Sequence, residues 1–246
     1  TDLTLDIDFI VSRGPRVFVE RIDIAGNTTT SDRVIRRQFN IVEGDALNPR
    51  EIRASAERIR ALDFFGDVDL STREGSSINQ RILDVVVTEK PTGSLSFGGN
   101  YNSSNGVGIA ASFRESNFLG RGQSTNATIN TTSNSKRLSF SFQEPAALAR
   151  DIHLKLDFEY LRTDSNNAKY DTDSFNASSA LGFPLSPTEG LGLKTFWESE
   201  LLSDVTTGSN IISNEALQGR RSNFGLGYSY SFDNRRTGLN PKSGTF

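Results

Sequence analysis

The sequence has no cysteine among its 246 residues. That removes disulfide frameworks, zinc ribbons and thiol chemistry. Methionine is missing too, so the sequence lacks its own start and reads as a processed form or an internal piece, with no signal peptide visible. His153 is the single histidine, which leaves no basis for a His-built metal cluster or catalytic triad. Basic excess is absent: 27 Lys and Arg stand against 30 Asp and Glu, for a net charge of -3. No field of that kind steers nucleic acid. No stretch approaches the roughly 18 apolar residues of a transmembrane helix. This does not exclude a membrane, because strands that cross one alternate apolar with polar residues. Only 35% of residues are hydrophobic and mean hydropathy is -0.42. Phenylalanine and glycine, in contrast, are abundant at 17 and 21. Many aromatics and glycines with little aliphatic bulk imply extensive sheet with one wet face.

Leu3, Leu5, Ile7, Phe9 and Val11 alternate as a strand that Gly14-Pro15 ends. Residues 1–14 therefore read as the last strand of a preceding domain. A second strand follows, with Val17, Val19, Arg21 and Asp23 on one face and Phe18, Ile22 and Ile24 mostly on the other. After the Gly26-Asn27 turn, Thr30 or Ser31 can cap a helix carrying Val34, Ile35, Gln38 and Phe39. Glu43-Gly44-Asp45 breaks it. A second helix starts with Asn48 as cap, Pro49 in first position and Glu51 three residues after the cap. Its apolar stripe is Ile52, Ala56, Ile59 and Leu62. Strands over residues 67–73 and 82–89 complete a β-α-α-β-β unit spanning 15–91, a normal size for a small domain.

From Gly93 the helical signals vanish and period two takes over. Leu95, Phe97, Gly99 and Tyr101 alternate with small or polar residues, as do Val107, Ile109, Ala111 and Phe113, and then Leu138, Phe140 and Phe142. Residues 223–232 repeat this with Phe224, Leu226, Tyr228, Tyr230 and Phe232; residues 125–131, 175–183 and 191–197 carry weaker copies. The strand from Ile152 is the most informative. Leu154, Leu156, Phe158 and Tyr160 form one face, and His153, Lys155, Asp157 and Glu159 the other. Alternation alone also fits a soluble sandwich. An apolar face opposite a charged one favours a barrel with lipid outside and a polar lumen. The segments run about nine to eleven residues, a spanning length for a tilted strand. Tyr160, Phe183 and Phe232 stand at segment ends, as an interfacial girdle requires. A short link at residues 184–189 and a longer one at 164–173 suggest the alternating turns and loops of an outer-membrane barrel.

Several stretches carry a family resemblance. They are Ile24-Ala25-Gly26-Asn27-Thr28, Val34-Ile35-Arg36-Arg37, Glu43-Gly44, Phe64-Phe65-Gly66-Asp67-Val68 and Val86-Val87-Thr88-Glu89. Further along come Gly98-Gly99-Asn100-Tyr101, Asn117-Phe118-Leu119-Gly120-Arg121-Gly122 and Leu181-Gly182-Phe183-Pro184. With these the chain resembles the BamA family of outer-membrane-protein assembly factors. Residues 15–91 are similar to its last POTRA domain, and 92–246 to the N-terminal part of its antiparallel transmembrane β-barrel. The family barrel has sixteen strands, of which about eight can be counted here. The tail from Asp233 to Phe246 resembles the turn into a next strand; a complete eight-stranded barrel is the structural alternative.

The resemblance implies a non-enzymatic role without cofactors, in the outer membrane with the POTRA domain in the periplasm. The implied partners are unfolded outer-membrane proteins, accessory lipoproteins and outer-membrane lipid. It also implies that the first barrel strand pairs with client strands at a lateral gate, here Gly98, Gly99, Asn100 and Tyr101. Relief of crowding in a curved sheet is the other account of these glycines. The POTRA client edge falls on Asp67, Val68, Asp69 and Leu70, whose acids equally suit plain edge protection. The partner surface falls on Arg36, Arg37 and Gln38, where an acidic residue is common in place of Gln38; a solvated helix face is the alternative. His153 reads as a lumen residue, and Asp157 with Glu159 as a charged lumen lining rather than an acid–base pair. Gly106-Val107-Gly108 lacks the third glycine of a dinucleotide loop, and Trp197 suits a lipid-facing position. The alternatives in function are a POTRA-barrel transporter that secretes one partner, a soluble adhesin-like sandwich, and a barrel lipase.

Overall fold

The computed structural model describes residues 15–103, 106–165, 169–206, 208–235 and 244–245. The strand expected at residues 3–11 and most of the tail after Arg235 lie outside them. The chain divides into two compact units, Thr1–Pro91 and Thr92–Phe246.

The first unit runs β1 (Phe18–Ala25), α1 (Asp32–Arg36), α2 (Pro49–Ala61), β2 (Phe65–Glu74) and β3 (Gln80–Glu89). This is the expected β-α-α-β-β order. The sheet order is β1-β3-β2, with β1 parallel and β2 antiparallel to β3. Both helices pack one face of the sheet around Val19, Val34, Ile35, Ile59, Val68, Leu83, Val85 and Val87, each almost fully buried. Removing such side chains from water is worth roughly 1.5–3 kcal/mol each. The second helix starts as expected, with Pro49 in first position and the Asn48 side chain accepting the Arg50 N–H at 3.0 Å. Glu51 does not close a capping box. It accepts from Asn40 instead, 3.2 Å away, which fixes the loop before the helix.

Two details of this unit differ from the sequence pattern. Val19 and Ile22 are both in the core, although strict alternation places them on opposite faces. A bulge at Glu20 inserts one residue against β3 and flips the phase. Helix α1 is only five residues long and ends at Arg36, so Arg37 is its C-cap and Gln38 lies beyond it. Gln38 folds back to donate to the Val34 carbonyl at 3.2 Å, and its own carbonyl accepts from Arg58 at 2.7 Å.

The second unit is one antiparallel sheet of eight strands in sequence order: β4 (Gly93–Asn102), β5 (Gly106–Phe118), β6 (Gln123–Thr132), β7 (Ser135–Glu144), β8 (His153–Ser165), β9 (Tyr170–Ser186), β10 (Glu189–Ser203) and β11 (Arg221–Phe232). Its register decides the faces more firmly than alternation along single strands. Leu95, Phe113, Ala127, Phe140, Phe158, Ala177, Trp197 and Phe224 are successive register partners across all eight strands. One residue over, Ser96, Ser112, Thr128, Ser139, Glu159, Asn176, Glu198 and Asn223 form an equally complete polar row. A one-residue slip in any pair would mix the two rows, so the pattern pins the register. The apolar row is left uncovered: Leu95, Phe97, Phe224, Leu226 and Tyr228 are each more than 60% exposed. A sandwich would bury that face against a second sheet.

Several strands are longer than nine to eleven residues, with β8 at 13, β9 at 17 and β10 at 15. Tyr160 and Phe183 therefore sit inside their strands rather than at the ends. The short and long links do not alternate as expected. The connection after β6 is two residues at one end, whereas residues 145–152 form an eight-residue link at the other. The link of residues 204–220 holds a helix absent from the sequence reading, α3 (Asn210–Leu217). Pro184 lies within β9, where the register with β10 shifts and the bulge removes the need for a ladder N–H. Among the described residues β4 and β11 do not pair with each other. The eight strands therefore do not close into a small complete barrel.

Candidate functional site

β4 has one hydrogen-bonded neighbour, β5, and its other edge is unpaired among the described residues. Asn100 and Gly98 lie on the polar face, opposite Gly108 and Ala110; Tyr101 and Gly99 lie on the apolar face, opposite Val107 and Ile109. The four residues expected at a gate are thus consecutive on β4 but split between faces. Tyr101 is 77% exposed. The Asn100 side chain lies over Gly108, where a Cβ would collide with its amide oxygen. Gly98 has no neighbour within 4 Å of where its Cβ would sit, and Gly99 only an ordinary 3.7 Å contact with the Gly108 carbonyl. Crowding by these neighbours is therefore not what calls for glycine. Two bare positions in a row instead leave the middle of an edge strand without cross-strand packing.

In the first unit the two sheet edges differ. The outer edge of β1 is covered by residues 44–47: Val19 donates to the Asp45 carbonyl at 2.8 Å and accepts from Gly44 at 2.7 Å. Among the described residues β2 is the open edge. Its Val68 carbonyl points outward and accepts from Arg60, reaching over from α2, at 2.6 Å. Asp67 and Asp69 are exposed and Leu70 half-buried, but the Val68 side chain is 2% exposed and belongs to the core. Only its backbone is available at the edge. Arg60 was not legible as an edge residue, because its partner lies on another element. At the other surface Arg36 is pinned, donating to the Ile22 carbonyl at 2.8 Å and to Glu43 at 3.3 Å. Arg36, Arg37 and Gln38 are neighbours, but they bracket a helix end rather than share a helix face.

The far end of β3 carries a residue whose role the sequence did not show. Burial alone would raise the Glu89 pKa, but hydrogen bonds from Thr28, Thr30 and Thr29 outweigh it and hold the carboxyl at about 2. The next residue, Lys90, pairs with Asp63 at 2.5 Å and donates its N–H to the Phe64 carbonyl. The last strand of the unit is so fastened to two loops just where the chain leaves it.

Two family models match this chain. One is the POTRA model, described as a surface antigen variable number repeat, over residues 17–90. The other is the Omp85 superfamily domain, over residues 117–246. The chain belongs to the Omp85 superfamily. Its curated relatives include the outer membrane protein assembly factor BamA of Buchnera aphidicola, 29% identical over 174 residues, or 70% of this chain and 27% of that one. Among solved structures, BamA from Haemophilus ducreyi lacking POTRA domains 1-3 superposes with a TM-score of 0.73 at 23% identity. That match covers 93% of this chain and 46% of the other. CdiB from Acinetobacter baumannii shares the fold at a TM-score of 0.52 and 13% identity, over 87% of this chain and 42% of that one. The chain thus spans about a quarter of the length of such a curated relative. The resemblance to the BamA family is borne out. The Omp85 architecture also assigns the open sheet: it is part of an outer-membrane β-barrel preceded by a POTRA domain.

Proposed function

We propose that this Omp85 chain takes part in assembling and inserting β-barrel proteins into the outer membrane, with β4 as a lateral gate. The observation that carries the reading is the pair of bare positions, Gly98 and Gly99, at the middle of β4, the first strand of the sheet. An edge strand offers unpaired N–H and C=O groups, and lipid offers no water to satisfy them. An unfolded client strand that adds to β4 satisfies both chains at once, by β-augmentation. The gate residues are Gly98, Gly99, Asn100 and Tyr101. In this reading residues 15–91 lie in the periplasm. There the open β2 edge at Asp69 and Leu70 receives clients, and the surface around Arg36, Arg37 and Gln38 receives accessory lipoproteins. The apolar face of the sheet meets outer-membrane lipid. The role is one of templating, not enzymatic turnover. It draws support from the BamA relatives and from the two matched domains.

The test is disulfide crosslinking in the full-length protein in membranes, between Asn100→Cys and a cysteine in the terminal strand of a client barrel. Because this chain has no cysteine, the introduced thiol is unique within it. A specific adduct at position 100 is the expected result. Clients that crosslink only from the polar face, at His153 or Lys155, favour a second reading: a transporter that passes one partner protein through the lumen. The shared fold with CdiB is what keeps that reading in view.

A further inference from the structure

Strands that alternate in direction bring the links after β5, β7 and β9 to one end of the sheet, the end at which β4 begins. The links after β5 and β7 each present a bare leucine, and β9 carries a third just before its end. Leu119 is 70% exposed, Leu148 88% and Leu185 57%. At Leu119 and Leu148 the backbone is left-handed, with φ of 55° and 57°, a conformation that is strained for a leucine. Main-chain bonds hold the turns regardless: Gly120 to the Asn117 carbonyl at 3.0 Å, Gly122 to the Asn117 side chain at 2.8 Å, and Arg150 to the Ala147 carbonyl at 3.1 Å. Two residues after each strained leucine comes an exposed arginine, Arg121 and Arg150. Among the described residues neither has an ion-pair partner. Folding thus spends strain to keep a leucine and an arginine together at the tips of two turns, and a third exposed leucine stands at the end of β9.

We propose that this end of the sheet carries a lipid-interface anchor. Leu119, Leu148 and Leu185 enter the boundary between headgroups and acyl chains, and Arg121 and Arg150 bind phospholipid phosphates. Continuity argues for lipid as the occupant. Leu185 lies two residues beyond Phe183, the last residue of the apolar face of β9 in regular register with β10, and stands out at the bulge that follows it. Charge argues likewise, since an exposed arginine above apolar surface matches an anionic headgroup. Three anchors on one end would fix the depth at which the sheet sits and resist tilt. The inference rests on the reading that the apolar face meets lipid.

The experiment places a nitroxide label at Leu119→Cys, Leu148→Cys or Leu185→Cys in the full-length protein, reconstituted in phosphatidylethanolamine–phosphatidylglycerol vesicles. Collision with lipid-soluble oxygen is compared with collision with a water-soluble nickel chelate. These side chains are exposed and take no part in the turn bonds, so the substitutions leave the fold intact. Two reference sites separate the possible failures. Phe140→Cys reports whether the apolar face meets lipid at all. Ile78→Cys, 87% exposed in the first unit, reports an apolar side chain in water. The expected result is an oxygen-to-nickel ratio several-fold above that of position 78 at all three leucines, lowered by Arg121→Glu together with Arg150→Glu. Nickel-accessible leucines with an oxygen-accessible position 140 overturn the anchor but not the membrane face. A nickel-accessible position 140 overturns both. Labels shielded from both reagents mean a protein partner, and also overturn the anchor.

Discussion

Glu89 accepts the backbone N–H of Thr30 at 2.6 Å, across 59 positions of sequence. The same carboxylate accepts the Thr28 hydroxyl at 2.7 Å and the Thr29 N–H at 3.0 Å. The end of β3 is thereby tied to the turn that leads into α1. The bonds are stronger while Glu89 is ionised. Its pKa falls from 4.5 to about 2 on folding, so the contribution is complete above about pH 4.5 and is lost as pH falls through about 2. Allowing for solvent screening at a partly exposed site, it is on the order of 1–2 kcal/mol. Glu89→Gln is expected to speed hydrogen exchange of the β3 amides at neutral pH and to flatten the acid dependence of that exchange. Unchanged exchange at both pH values would show that the carboxylate is not what holds this end.

Leu83 lies on the central strand of the three-stranded sheet and is fully buried. Leu83→Ala is expected to cost about 2–5 kcal/mol through lost burial and the cavity left behind. In a unit of this size that is a large part of the total stability. Limited proteolysis should then cut within residues 15–91 while the barrel portion stays resistant.

On the polar face, Phe196 covers Gly225 on the neighbouring β11, and a Cβ at that glycine would collide with the far end of the aromatic ring. Gly225→Ala is expected to destabilise the barrel by about 1–3 kcal/mol through overpacking. Phe196→Ala should relieve that cost, so the double variant loses less than the sum of the two singles. The midpoint of heat-induced mobility change on gels, with the full-length protein, provides the measurement. Strict additivity would mean that the ring and the glycine do not act as a pair.

Open space around Gly98 predicts that Gly98→Val folds normally. Valine supplies packing that the glycine withholds and stiffens β4. Client insertion into proteoliposomes is expected to slow several-fold, with barrel heat resistance unchanged. Normal insertion would remove local looseness of β4 from the proposed mechanism.

Much of this architecture could be read from sequence because each strand of the second unit meets two chemically opposite surroundings. Phe158 and Glu159 declare their faces without knowledge of any partner, and the register then follows. The β-α-α-β-β unit was legible for a related reason, since Asn48-Pro49 and the Ile52–Ile59 stripe are local signals. What escaped was non-local. The Glu20 bulge depends on how β1 must meet β3, and Val19 and Ile22 alone do not disclose it. Arg60 reaches an edge carbonyl on another element, and Glu89 finds three threonines at the opposite end of its unit. Helix α3 has no strong apolar period, so its sequence looked like loop. Gly98 and Gly99 were legible as consecutive glycines in a first strand, whereas the open space beside Gly98 was not.

The parallel pairing of β1 with β3 has a mechanical consequence. The chain comes in beside Gln80, at the foot of β1, and departs past Glu89, beyond the opposite end of the same ladder. Tension applied between those two points runs along the strands and loads every rung from Phe18 to Ala25 at once, in shear. Two adjacent termini would instead unzip one rung at a time. Along that line the ladder resists as a whole.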